Sequence, residues 1–129
     1  MNYIENEHIK FWVENTILCC EYKSAFDMNL ENSKEIYAMR KQISGGINQY
    51  FLYDISNLKS MTKEARDYGE KHGLNDLAAS AVIVNSSVKK LLYNAFLKLN
   101  KVNIPVQAFS ERELAIQWLH KIKELNGTI

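Results

Sequence analysis

The chain has 129 residues, of which 47% are hydrophobic and 24% are charged. This length and composition are typical of one globular domain that buries its own core without disulfides or metals, and they exclude a disordered chain. Sixteen basic and fifteen acidic residues leave a net charge of +1, so no overall positive field would attract nucleic acid. We therefore predict a single domain over residues 1–129, with no nucleic-acid partner.

Two further classes are disfavoured by local composition. The first twelve residues, MNYIENEHIKFW, lack the basic start and apolar stretch of a signal peptide. The longest apolar run, residues 77–84, is too short to span a bilayer. We predict a cytoplasmic protein without a transmembrane segment.

The only two cysteines, Cys19 and Cys20, are adjacent. On a strand they would point to opposite faces, so they could form neither an ordinary disulfide nor a shared metal site with each other. No neighbouring positive group in ILCCEY would lower a thiol pKa. They are predicted to be small buried apolar residues.

The first third of the chain predicts a hairpin and a helix. Residues 8–13 alternate between apolar and polar side chains, residues 16–22 are β-prone, and only a short link separates them. Asn29 is a suitable N-cap for a helix that continues to Ile43, and Gly45 and Gly46 would end it.

The middle of the chain predicts two buried strands around a second helix. Residues 50–56 and residues 77–84 are nearly continuous apolar runs, typical of strands that are covered on both faces. Between them, Thr62 can cap a helix that Gly73 ends.

Two more helices flank a short final strand, Val106–Phe109. The third helix would follow the capping residues Asn85, Ser86 and Ser87, and the last would open with a capping box of Ser110 and Glu113. Each carries an apolar stripe that is expected to face the core. The stripes are Leu91, Leu92, Ala95, Phe96 and Leu99 in the third helix, and Ala115, Trp118, Leu119 and Ile122 in the last.

The predicted order is ββαβαβαβα. Strands that alternate with helices after a hairpin indicate an α/β fold with a mostly parallel sheet and right-handed crossovers. We expect about five strands, one of them antiparallel to the rest, and about four helices.

One segment, YDISNLKSMTKEARDY at residues 53–68, carries a family resemblance. It is similar to the STAS family of anti-sigma-factor antagonists and sulfate-transporter domains, in which a buried strand ends in a turn followed by a loop and a capped helix. It resembles still more closely a group of small bacterial STAS and lipid-transfer-like proteins with a comparable stretch. The resemblance extends from about Ile9 to Ile122 and implies a STAS-like fold.

The resemblance also implies a regulatory site at the start of the second helix. In the antagonists a Ser or Thr in this region is phosphorylated, and the modification switches binding to a partner protein. Ser60 and Thr62 occupy that region here, although the family's Asp-Ser-Gly is replaced. Helix capping and loop hydrogen bonds are the alternative role for both. The candidate phosphorylation or partner-loop residues are Asn57, Lys59, Ser60, Met61 and Thr62.

Polar residues at the carboxyl ends of the two buried strands form a second candidate group. Asp54 and Ser56 follow one strand, and Asn85 and Ser86 follow the other. Ligands of open α/β sheets gather at this edge, but such residues more often brace loops and cap helices.

Motifs of enzymes and metal sites are not found in the sequence. His8, His72 and His120 lie in three different predicted elements, and no glycine-rich phosphate loop, nucleophile elbow or HExxH motif occurs. We therefore predict no metal, no cofactor and no enzyme.

Large apolar residues are numerous for so small a domain. They would form the core or, alternatively, line a pocket between the sheet and the helices. The residues in question are 50–53, Phe96, Leu99, Phe109 and Trp118.

Two functions follow as hypotheses. The first is a non-enzymatic regulatory or protein-interaction module of STAS-like type, switched by phosphorylation and bound to another protein. The second is a binder of a small hydrophobic or acyl ligand. Trp12, on the outer face of the hairpin, leaves both a monomer and a homodimer open.

Overall fold

A computed structural model of the chain describes residues 2–127. Its elements, in chain order, are β1 Tyr3–Glu5, β2 Ile9–Glu14, β3 Ile17–Tyr22, β4 Phe26–Met28, α1 Leu30–Ser44, β5 Gln49–Asp54, β6 Leu58–Met61, α2 Lys63–His72, β7 Leu77–Ile83, α3 Ser87–Leu99, β8 Val106–Phe109 and α4 Arg112–Gly127. All nine predicted elements are present. Three short strands, β1, β4 and β6, were not predicted.

A six-stranded sheet in the order β1-β2-β3-β5-β7-β8 forms the centre of the domain. Strands β3, β5, β7 and β8 pair in parallel, and β2 is antiparallel to both of its neighbours. The predicted α/β class, the mostly parallel sheet and the single antiparallel strand are thus confirmed. The sheet has six strands rather than about five because residues 3–5 pair with the free edge of β2.

A second, two-stranded sheet joins β4 to β6. The sequence predicts a loop from Asn57 to Met61, but most of that segment is β6. Its strand conformation is stabilised by pairing with β4, and the Phe26 amide donates to the Asn57 carbonyl at 2.9 Å. Asn57 is not among the residues with positive φ, so its backbone is not left-handed.

The two faces of the main sheet are covered by different helices. The face that we call the α1 face carries Phe51, Ser80 and Val82, and lies towards α1, α2 and α3. The face that we call the α4 face carries Leu52 and Ala81, and packs against α4. Because successive strand residues point to opposite sides, β5 and β7 contribute to both faces.

Cys19 and Cys20 follow this alternation, as predicted. Cys20 lies in the core of the α1 face and Cys19 in that of the α4 face, and both are buried free thiols. Burial raises the pKa of Cys19 to about 11 and also raises the pKa of Cys20. Neither thiol therefore has the thiolate character that redox chemistry requires.

Three predicted N-caps are formed. Asn29 accepts from the Asn32 amide in α1, Thr62 from the Ala65 amide in α2, and Ser86 from the Lys89 amide in α3. The capping box predicted for α4 is wrong in position, because α4 begins at Arg112 and Glu111, not Ser110, precedes it.

Helix α3 departs most from expectation. It packs along β8, where Asn94 accepts from the Ala108 amide at 2.8 Å and donates to the Ala108 carbonyl at 3.2 Å. None of its residues is fully buried, and Leu99 is 84% exposed. The prediction that its apolar stripe forms core is therefore wrong. Within residues 2–127 no helix has the length and apolarity needed to cross a membrane.

Candidate functional site

A cavity of about 560 Å³ lies on the α1 face of the sheet. Its floor is formed by side chains of the two central strands, Phe51 and Tyr53 from β5 and Ser80 and Val82 from β7. Since α1 and α2 stand on one side and α3 stands over β8 on the other, no helix lies directly against the central strands on this face.

The walls of the cavity are mostly apolar and aromatic. Lining residues from the three helices include Ile36, Tyr37 and Arg40 of α1, Ala65, Arg66 and Tyr68 of α2, and Tyr93, Phe96 and Leu97 of α3. Exposed lining residues from β6, α2 and the segment after α3, including Met61, Glu70 and Val102, indicate that the cavity opens to solvent between α2 and α3. Its volume is within the range of about 300–1,000 Å³ that is usual for small-molecule sites.

Tyrosine hydroxyls provide neutral polar groups near the floor. The Tyr22 and Tyr53 oxygens are 2.5 Å apart and share a hydrogen bond. Burial raises the pKa of Tyr22, of Tyr53 and of Tyr93. These phenols therefore remain protonated and able to donate hydrogen bonds at neutral pH.

Arg40 is a charged group in this largely apolar lining. Its side chain is buried, and its two terminal nitrogens each donate to a backbone carbonyl, that of Gly73 at 2.7 Å and that of Asn75 at 2.7 Å. The guanidinium carbon lies 5.2 Å from the Tyr37 ring centre and 5.4 Å from that of Phe51. Burial lowers the pKa of Arg40 from its ordinary value, but a guanidinium stays charged in proteins.

Four of the five predicted partner-loop residues do not line the cavity. Ser60 is exposed and donates to the Asp27 carboxylate at 2.6 Å, Lys59 is exposed, and Thr62 caps α2. Asn57 braces the chain by donating to the Tyr22 carbonyl at 2.9 Å.

Met61 is the one member of this group that contributes to the cavity lining. It is 40% exposed and ends β6, immediately before α2. The predicted segment and the cavity therefore share an edge.

The strand-end polar residues are brought together, but by bonds that brace the turn. The Ser56 amide donates to the Asp54 carboxylate at 2.9 Å, and the Asn85 side chain donates to the Ser56 carbonyl at 3.3 Å. Ser86 caps α3. This arrangement matches the bracing and capping alternative.

The large apolar residues are divided between the two faces. Phe51, Tyr53 and Phe96 line the cavity. Phe109 and Trp118 pack against each other on the α4 face, with ring centres 5.6 Å apart. The core and the pocket lining predicted as alternatives for this set are therefore both partly correct, because some of its members are core and others line a pocket.

The three histidines remain apart. His8 packs against the Phe26 ring, with centres 5.0 Å apart, and His72 lies against the rings of Tyr37 and Tyr68 in the α1–α2 contact. In the part of the chain that the structure describes, no group of three or more His, Cys, Asp or Glu side chains could hold a metal ion.

Sequence reasoning missed Arg40. A signal was available, because Arg40 follows Ile36 by four residues and precedes Ile43 by three, and so falls on the inward stripe of α1. A charged residue within an apolar stripe is uncommon unless it is paired or has a function.

Comparison with known proteins supports the fold and leaves the function open. The chain is similar to the crystal structure of an uncharacterised protein of the DUF3478 family with a SpoIIAA-like fold, from Shewanella loihica PV-4. The two share 17% identity with a TM-score of 0.67, over 90% of this chain and 98% of the other. The predicted STAS-like fold is thereby confirmed.

No curated protein matches the chain. One family does, over residues 11–123, and it is described as a domain of unknown function, DUF7793. That match takes in all of the cavity lining and all but the first ten and the last six residues of the chain. The protein belongs to the DUF7793 family and has a STAS-like fold.

Proposed function

We propose that this protein is a non-enzymatic STAS-like module that binds a small hydrophobic ligand in the cavity on the α1 face. The observation that carries the proposal is the cavity itself, which holds about 560 Å³ beneath helices that leave the central strands uncovered on the α1 face. Voids much larger than a water molecule are few in small domains, because close packing contributes to stability, so a cavity of this size points to a ligand.

The lining has the composition of a binding site. Aromatic and aliphatic groups provide apolar contact, and a few polar groups, including Tyr53 and Ser80, stand among them. A catalytic role for Asp54 would have less support, because Asp54 is engaged in a turn and the cavity lining contains no His.

A neutral fluorescent probe tests the proposal. N-phenyl-1-naphthylamine should bind the wild type with enhanced emission, and Ser80→Phe, which places a ring in the cavity, should weaken binding at least about tenfold. Leu125→Phe, on an exposed position of α4, is the matched control and should bind as the wild type does. Urea denaturation of each variant verifies that it is folded. Equal binding by Ser80→Phe and the wild type would contradict the proposal.

A second candidate function, protein interaction, is favoured by the outer surface of α3. Val88, Leu91, Leu92 and Leu99 are each more than 60% exposed. Contiguous exposed apolar groups on one helix are typical of protein contact surfaces. This surface has stronger support than the loop that the sequence suggested.

Phosphorylation would act at Ser60 or Thr62, which flank Met61 at the edge of the cavity. A phosphate on Ser60 would face the Asp27 carboxylate, to which Ser60 now donates at 2.6 Å, and like charges would repel. A phosphate on Thr62 would instead meet the unpaired amides at the start of α2. Thr62 is therefore the better placed of the two candidate sites.

Variants of α3 test the interaction. Sedimentation of the purified protein distinguishes a monomer from a homodimer, and affinity capture identifies other proteins. Leu92→Glu should abolish the association observed, whereas Leu125→Glu on α4 should not. An association that survives Leu92→Glu would count against α3 as the contact surface.

A further inference from the structure

We infer that the ligand of the cavity is a single-chain amphipath with an anionic head group, and that Arg40 binds that head group. The inference rests on the proposed function and deepens it, since it names the chemical class of the ligand. It starts from a buried cation that, within residues 2–127, has no carboxylate at salt-bridge distance.

Arg40 is only 7% exposed. Within residues 2–127 it forms no salt bridge with any carboxylate. A charge removed from water is costly unless an opposite charge compensates it, so buried arginines are normally paired. The carbonyls of Gly73 and Asn75 compensate in part as dipoles, and the Asp76 carboxylate attracts the guanidinium from beyond salt-bridge distance.

The guanidinium retains donors for a ligand. Arginine has five N–H groups, and the structure uses two of them in hydrogen bonds to those carbonyls. The rings of Tyr37 and Phe51 and the two carbonyls hold the group in place. A planar cation fixed in this way is suited to bidentate binding of a carboxylate or phosphate.

The other charged residues of the cavity lining also favour an anionic ligand. Arg40, Arg66 and Lys101 are the cationic residues, and Glu70 is the only carboxylate. Arg66, Lys101 and Glu70 are exposed, so two cations and one anion lie towards the opening. The remainder of the lining is mainly apolar and would take the hydrocarbon chain.

Three ligands that share one hydrocarbon chain and differ in head group distinguish the contribution of the head group to affinity from that of the tail. Isothermal titration would compare dodecanoate, dodecyl phosphate and dodecanol. The wild type should bind at least one of the anions about tenfold or more tightly than dodecanol. The anion that binds more tightly identifies the head group as a carboxylate or a phosphate. A preference for either anion over dodecanol supports the inference.

Variants assign the preference to Arg40. Arg40→Gln can still donate to a backbone carbonyl and should bring the affinity for the anions down to that for dodecanol, while the dodecanol affinity stays within about twofold. Arg40→Lys should keep part of the preference, because it keeps the charge but loses the bidentate geometry of the guanidinium. Lys34→Gln, which removes an exposed cation of the same helix outside the cavity lining, is the matched control and should keep it as well.

The outcomes that would overturn the inference are distinct from those that would overturn the proposed function. If all three compounds bind the wild type equally, the head-group inference is wrong and the cavity remains a ligand site. The same holds if the anion preference survives Arg40→Gln. If none of the three binds, the proposed function fails, and the inference fails with it. Urea denaturation of Arg40→Gln establishes that loss of preference is measured on folded protein.

Discussion

The two faces of the central sheet are built from the same strands and differ in what covers them. On the α4 face, Leu52, Ala79 and Ala81 pack against Ala115 and Leu119, and all five are fully buried. The small alanines of β7 allow α4 to approach closely. On the α1 face, the same two strands present Phe51, Tyr53, Ser80 and Val82 to a cavity.

Helices α3 and α4 show the same difference. Both carry apolar stripes in the sequence, but α4 buries Leu119 completely whereas α3 leaves Leu92 66% exposed. An apolar stripe therefore shows only that a helix has an apolar face. Whether this face is buried in the core depends on how closely the helix packs against the sheet.

The largest expected effect comes from shortening a leucine on each of the two helices. Leu119→Ala should lower the free energy of unfolding by about 3 kcal/mol, because it leaves a cavity in a closely packed site. Leu92→Ala, the matched change on α3, should lower it by less than about 0.5 kcal/mol, because its side chain is already in water. Urea denaturation measures both losses. Similar losses would show that Leu92 is packed as closely as Leu119.

A pH-dependent effect of intermediate size is expected from the tyrosine pair on the α1 face. Since burial raises the pKa of Tyr22, the folded state keeps this phenol neutral while the unfolded chain ionises above about pH 10. The resulting stability is present below pH 10 and is lost as the pH rises above it.

Tyr22→Phe should therefore reduce the loss of stability between pH 9 and pH 11 by about 1.4 kcal/mol. The measurement is urea denaturation of both proteins across that range. Below pH 8 the two stability curves should run parallel, which provides an internal control. An identical alkaline loss in both proteins would contradict the burial of this phenol.

A smaller effect is expected at the start of α2, which stands at the edge of the cavity. Thr62→Ala removes the acceptor for the Ala65 amide and should cost about 1 kcal/mol of unfolding free energy. Ser60→Ala, two residues earlier, removes only an exposed hydrogen bond and should cost less than about 0.5 kcal/mol. Equal losses in thermal or urea unfolding would show that Thr62 is not the functional cap.

Much of the fold was predictable because local signals agreed with the final structure. The alternation before Val13, the caps Asn29, Thr62 and Ser86, and the left-handed Gly45 each express local backbone preferences. The short strands β1, β4 and β6 escaped prediction because their strand conformation depends on partners distant in the sequence, as when β4 pairs with β6.

The candidate site was less predictable. Aromatic residues of β5 indicated a pocket between sheet and helices as an alternative, yet no local pattern distinguishes Phe51, which lines the cavity, from Leu52, which lies in the packed core. Arg40 could be recognised as a charge within an apolar stripe. That it lacks a carboxylate partner becomes visible only when the chain is folded.

The most direct test of the central claim is a titration of ¹⁵N-labelled protein with dodecanol or dodecanoate, followed by amide chemical shifts. Saturable shifts should concentrate on the α1 face, at residues of β5 and β7 whose side chains line the cavity and at Arg40 and Phe96. The amides of α4 around Leu119 should move little. Absence of saturable shifts, or shifts centred on α4, would contradict a ligand site between the sheet and α1, α2 and α3.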